Sequence, residues 1–275
     1  MKKQITLLSV VLFLCGTLVA QDVYVCGSQG NAAKVWKNGE ELYALTDGAY
    51  EARAHAMAIS NAGDIYVTGY EKNSNGRSIA KVWKNGSTLY FLTSVTSDGE
   101  GHSIAISGDN IYVAGNSRTV AAAAPQNGVA NDALRGDVVG VWKATVWKNG
   151  TLYTCSDVSS LAYSIVASGS DIYIYVSDHV SGVGQVWKNT SILYAISDTH
   201  LLHFHKNPVA VSGNDVYVAG EVIIPYSPQT VINVWKNNDV LYSLSGSSTN
   251  IGGTIYSSHC SMVISGNDIY VSVHT

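Results

Sequence analysis

The stretch Ser103-Ile104-Ala105-Ile106-Ser107-Gly108-Asp109-Asn110-Ile111-Tyr112-Val113-Ala114-Gly115 decides the fold. β-Branched and aromatic residues at alternate steps suit a pleated strand, and Ser107-Gly108-Asp109 between the two runs is a turn. Downstream, Ala144–Lys148 and Thr151–Thr154 read as two more strands joined by Asn149-Gly150. A two-residue hairpin with the right twist needs positive φ at both central positions, which Asn and Gly tolerate best. Two hairpins in series make a four-stranded antiparallel unit.

The unit repeats. An Asp/Asn-(Ile/Val)-Tyr-(Val/Ile) strand stands at Asp22–Val25, Asp64–Val67, Asn110–Val113, Asp171–Ile174, Asp215–Val218 and Asp268–Val271. A Val-Trp-Lys-Asn-Gly phrase or near variant carries Trp36, Trp83, Trp147, Trp187 and Trp235. One such sheet is too small to be stable alone and must stack its apolar faces on its neighbours. The expectation is an all-β chain, a β-propeller of four-stranded antiparallel blades, with Trp and Tyr filling the gaps between blades. The count is five blades with a surplus terminal strand, or six with the last half built.

Before the repeats, Met1-Lys2-Lys3 is followed by an apolar run from Ile5 to Ala20. A positive start, a short apolar core and a small residue give the layout of a signal peptide over residues 1–20, with the repeat domain at 21–275. The expected destination is outside the cytoplasm: periplasm, cell surface or medium. No later stretch is apolar enough for a span, so no stable membrane span is expected once the leader is removed. Charged residues are 13% of the chain and the net charge is −4. That removes the driving force for phosphate backbones, so nucleic acid is an improbable partner. A monomer is expected.

The pattern resembles kelch-type propeller repeats in Tyr66-Val67-Thr68-Gly69, Tyr112-Val113-Ala114-Gly115 and Tyr217-Val218-Ala219-Gly220 with the Trp series, with a single Gly in place of the kelch pair. The Val-Trp-Lys-Asn-Gly phrase is also similar to repeats of uncharacterised secreted bacterial proteins. Neither resemblance implies an activity.

In such a blade the two hairpin turns fall on one rim, and the longer connections on the other. The long rim takes Gly69–Ala80, Thr93–Gly101, Gly115–Thr145, Asp198–Asn207, Glu221–Asn233 and Ser245–Ser258. Loops on a rigid scaffold are the usual place for recognition, so that rim is the expected binding face. His55 and His102 occupy equivalent positions there, His203 and His205 precede the fourth equivalent, and His259 adjoins Cys260 at the fifth. The five histidines and Trp142, in the long third connection, are the candidate ligand residues. A simpler role for each His is capping a strand end, like the Gly-His step of WD-type repeats. Tyr163 replaces His in one copy, and no carboxylate recurs beside the histidines as an orienting group would.

No G-x-S-x-G, H-E-x-x-H, G-x-G-x-x-G or C-x-x-C occurs, so the sequence names no catalytic residue, no metal-ligand set and no cofactor. The expected function is an exported, non-catalytic binding or scaffold module for a protein or glycan. The alternatives are a hydrolase or lyase with its site at the channel mouth, and a multivalent lectin. Pairing of the last first-type strand with the opening second-type strand would bring Cys26 and Cys260 within disulfide reach.

Overall fold

The structure, a computed structural model, describes residues 22–121, 138–196, 208–223, 229–247, 259–266 and 268–274. All its regular elements are antiparallel strands, in six sheets. The first has three strands, β1 (Tyr24–Gln29), β2 (Ala32–Lys37) and β3 (Glu40–Ala44). The second is β4 (Ala52–Ile59), β5 (Ile65–Lys72), β6 (Ser78–Lys84) and β7 (Ser87–Phe91). The third contains β8 (Ser97–Ser107), β9 (Asn110–Ala121), β10 (Val138–Val139), β11 (Lys143–Lys148) and β12 (Thr151–Cys155), with β10 paired to the far end of β9. The fourth is β13 (Ser160–Ser168), β14 (Asp171–Asp178), β15 (Val183–Lys188) and β16 (Ser191–Ala195). The fifth is β17 (Val209–Ser212), β18 (Asp215–Ile223), β19 (Gln229–Lys236) and β20 (Asp239–Ser247). A hairpin of β21 (His259–Ser265) and β22 (Asp268–His274) is the sixth.

The two repeated phrases meet at one corner of each sheet. Asn38, Asn85, Asn149, Asn189 and Asn237 all hold φ between 47° and 56°. Each turns its Oδ1 back to accept from a backbone N–H of the neighbouring strand: Val23, Ile65, Ile111 and Val216 at 2.8 Å, and Ile172 at 3.1 Å. Its Nδ2 donates to the first residue of the Asp-x-Tyr phrase, for example Asn85 to Asp64 at 2.7 Å. The preceding Lys completes a clasp. Its ammonium pairs with the other carboxylate oxygen, at 2.8 Å for Lys37–Asp22, Lys188–Asp171 and Lys236–Asp215 and 2.7 Å for Lys84–Asp64. The same ammonium stands 5.3 to 5.7 Å from the Tyr ring of that phrase, in cation–π range. In the third sheet Asn110 replaces Asp, and Lys148 lies near both Tyr112 and Tyr153 instead.

The core lies between sheets. Val82 packs toward the third sheet with Ile104 and Val113, whereas its neighbour Trp83 packs toward the first with Val35 and Ala52. Ala33 and Val35 are the first-sheet members of the Trp83 cluster, with Ala52 from its own sheet; alternate residues on a strand face opposite ways, so the Val-Trp pair fills two interfaces at once. Trp147, Trp187 and Trp235 repeat the arrangement toward the third, fourth and fifth sheets' preceding neighbours. Trp83 and Trp235 are 0% exposed, while Trp36, in the first sheet, is half-buried.

The innermost strands β4, β8, β13, β17 and β21 line one cavity of about 290 Å³, through residues such as Met57, Ile104, Ile165, Ala210 and Met262. No described strand pairing joins the sheets into a closed ring. The first sheet has no strand inside β1 among the described residues, and β21 takes its local partner, with Cys260 opposite Val273. The strand pairing that would carry a Cys26–Cys260 latch is not formed, because a two-residue-spaced hairpin partner is already beside β21. Residues 1–20, the expected leader, lie outside the described residues. No helix of the described residues is long and apolar enough to cross a membrane.

Two expected loops begin or end as strand. β8 begins at Ser97, inside Thr93–Gly101, and β9 runs on to Ala121, inside Gly115–Thr145, of which residues 122–137 lie outside the described residues. The extension pairs Ser97–Gly101 with Gly115–Thr119, polar against polar, so no hydrophobic alternation marks it in the sequence.

Candidate functional site

Three inner strands carry a β-bulge at one level. The ladder skips His55 between Ala54 and Ala56, His102 between Gly101 and Ser103, and Tyr163 between Ala162 and Ser164. A bulge inserts an unpaired residue and re-aims its side chain. Each bulged residue therefore leaves the regular face of its strand, just rimward of the cavity lined by Ala56, Ser103 and Ser164. Glycines permit the distortion in two copies. A Cβ on Gly69 would stand 1.9 Å from the Arg53 carbonyl oxygen, and one on Gly115 2.0 Å from that of Glu100. In the third copy Val176 takes this place, opposite Ala162.

The bulged side chains form a relay from sheet to sheet. Nδ1 of His55 lies 3.0 Å from the carbonyl oxygen of Gly101, and Nδ1 of His102 lies 3.0 Å from that of Ala162. A carbonyl oxygen can only accept, so Nδ1–H is the donor in both, and the neutral ring carries its lone pair on Nε2. Each histidine thus bonds to the residue just before the next bulge. The rings also follow one another: Tyr70 to His55 at 5.6 Å, His55 to His102 at 5.8 Å, and His102 stacked on Tyr163 at 5.7 Å.

Acidic groups flank this row. Glu100 Oε2 is 3.8 Å from His102 Nε2. Burial pushes the Glu100 carboxyl up, but His102 in its protonated form, through hydrogen bonding and charge, with a smaller contribution from a charged His55, outweighs it and holds the group below its ordinary range; the neutral Nδ1–H rings exert no such pull. Tyr70 donates to Glu51 Oε1 at 3.0 Å, and Glu51 also meets Lys72 at 2.5 Å and Arg53 at 3.1 Å. Burial, then the bond to Glu51, lifts the Tyr70 hydroxyl to about 12, and burial alone lifts Tyr163 to about 12. Both phenols are neutral at ordinary pH.

Of the sequence candidates, His55 and His102 come together. His203 and His205 lie outside the described residues. His259 opens β21 opposite His274 in a regular ladder with no bulge, and its side chain lies outside the described set. Trp142 belongs elsewhere on the rim. The Arg118 guanidinium lies 4.4 Å from its ring centre and bonds through Nε and Nη2 to Asp98 at 3.1 and 3.0 Å. Capping by these histidines is directed at the next sheet's inner strand and not at a nearby loop. Glu100 leaves no repeat signal, because no carboxylate recurs at its position in the other copies. The equivalent residues, two before each bulge, are Arg53 and Leu161, so Glu100 occurs once.

No family model matches the chain, and no curated protein matches it. A solved structure aligns with it, titled a crystal structure of a protein of unknown function from Bacteroides caccae, at 14% identity and a TM-score of 0.31, covering 82% of this chain and 94% of that one.

Proposed function

We propose that the protein is an exported, non-catalytic β-propeller that binds a protein partner on its long-connection rim. Six separate sheets among the described residues support six blades over five, since β21 pairs with β22 and leaves β1 to β2. Five inner strands around one cavity support the radial arrangement. The export reading rests on the sequence pattern of residues 1–20 alone, a positive start followed by a short apolar run.

The observation that carries the binding reading is the makeup of the two rims. On the long-connection rim, Val95 is 68% exposed, Val141 56%, Val158 45% and Val180 72%, each on a different connection. The hairpin rim also exposes aliphatic residues such as Ile59, Leu152 and Val240, but its turns recur in near-identical form, with their polar groups taken up by the clasps, whereas the long connections differ from sheet to sheet. Exposed aliphatic side chains set among charged pairs such as Asp98–Arg118 are the makeup of a protein-docking surface. A lectin is less well supported, because the row aromatics Tyr70 and Tyr163 are each 8% exposed and offer little ring face to a sugar.

The test compares partners retained from the exported fraction by the native chain, by Val95→Asp/Val180→Asp and by Ile59→Asp on the opposite rim. A specific partner held by the native and Ile59→Asp proteins, and lost by the double variant, is expected. Retention by all three proteins, or a glycan array showing avid sugar binding without a protein partner, would contradict it.

A further inference from the structure

His55, Glu100 and His102 each offer a ligand atom, and these three atoms lie within 4.8 Å of one another. The three residues come from two sheets, joined by the bond from His55 to the Gly101 carbonyl. We infer that they form a binding site for a divalent transition metal of the zinc class, with two imidazole nitrogens and one carboxylate oxygen as protein ligands.

The site has the features that metal binding needs. Two neutral imidazoles and a carboxylate suit Zn²⁺, and three protein ligands leave a fourth position for water or a ligand group. The Nδ1–H bonds to Gly101 and Ala162 fix the tautomer that places each lone pair on Nε2, as outer hydrogen bonds do for ligating histidines. A carboxylate behind each ring is therefore unnecessary, since backbone carbonyls orient the imidazoles and Glu100 is left to act as a ligand. Ligands bound at ~2.0–2.1 Å in a tetrahedral array stand about 3.4 Å apart, so closure calls for shifts of only about 1–1.5 Å. The Glu100 side chain is 29% exposed and that of His102 18% exposed, which leaves an entry path.

A second feature points the same way. Asn116 stands directly opposite Glu100 in the ladder and is 6% exposed. Among the described residues its Oδ1 has no hydrogen-bond partner. Buried polar atoms in native folds nearly always have a partner. A neutral oxygen on the face shared with Glu100 would bond a metal-bound water.

The arrangement is confined to one pair of sheets. In the next copy Tyr163 takes the bulge and Leu161 the Glu100 position, so the relay continues without ligands. This site is independent of the rim-docking reading and stands or falls separately.

The experiment is calorimetric titration of ZnCl₂ into the chelator-stripped full chain, with Co²⁺ absorption as a measure of coordination. His55→Asn and His102→Asn keep an amide N–H near the Nδ1 position and remove Nε2, and Glu100→Gln keeps the shape and removes the charge. Metal-free circular dichroism and urea midpoints identify any variant that fails to fold, and Glu100→Gln, on the more exposed of the Glu100–His102 pair, remains informative if a histidine variant does. One Zn²⁺ per chain, a tetrahedral Co²⁺ spectrum, and at least tenfold weaker binding in every folded variant are expected. No stoichiometric binding, or stoichiometric binding that Glu100→Gln and the folded histidine variants leave unchanged, would overturn the assignment.

Discussion

At the scale of the residue, the repeated phrases encode contacts more than surfaces. The Lys of each Trp-Lys-Asn step lies between an Asp carboxylate and a Tyr face, and the Asn ties turn to strand through both ends of its amide. The sequence made the turn legible, because Asn-Gly has few other uses, but not the clasp, whose partners stand some twenty residues apart and meet only once the strands pair. The clasp has a consequence in acid. The Lys bond, then the Asn bond, hold Asp22, Asp64, Asp171 and Asp215 below the ordinary aspartate value. Groups whose folded pKa is depressed contribute stability that is full above the unfolded value, about 4, and is lost as pH falls through the lower folded value. Urea midpoints should therefore fall on acidification below about pH 4, and less so in high salt, because the groups are exposed. Asp64→Asn, which copies the Asn110 state, should make that acid slope shallower. An unchanged slope would show that the Asp64 clasp adds nothing to stability.

At the scale of the element, the strands differ from their sequence reading where no hydrophobic pattern marks them. The rimward half of β8, from Ser97 to Gly101, has polar residues and glycines, so only its partner's register shows it to be strand. The bulges were equally hidden: one extra residue among Ala54, His55 and Ala56 leaves no compositional trace. Their effect is nonetheless the main feature of the candidate site, since an in-register His55 would lie on a regular strand face. Equivalence between His55 and His102 was legible, and their convergence with Glu100 was not. Packing gives a prediction at this scale. Trp83 lies fully buried between two sheets, and Trp36, in the first sheet, is half-buried. Trp83→Ala should cost about 3–5 kcal/mol in urea denaturation, and Trp36→Ala clearly less. Equal losses would mean that the face of the first sheet carrying Trp36 is covered as fully as the interior.

At the scale of the whole molecule, the tandem period announced stacked antiparallel sheets, and the structure has them, with cores between sheets and not within any one. How the array ends was not legible. A second-type strand opens the first sheet and another closes the last, and sequence alone could not choose which of them β21 would pair with. The local hairpin prevails because its turn holds the partners adjacent, at small loop-closure cost. The proposed radial arrangement would make one rim a continuous surface, and its support is that β4 and β21 line one cavity although four sheet-to-sheet steps separate them in sequence.

The direct test is a spin-label distance between Ala62→Cys, at the turn after β4, and Ser265→Cys, at the end of β21, with Cys15, Cys26, Cys155 and Cys260 replaced by Ser. Sheets fanned around a shared axis should give a dominant distance below about 30 Å, whereas a straight stack would place the labels about 40 Å apart or more, at ~10 Å per sheet. The longer distance would contradict the propeller and, with it, the rim proposed to bind a partner.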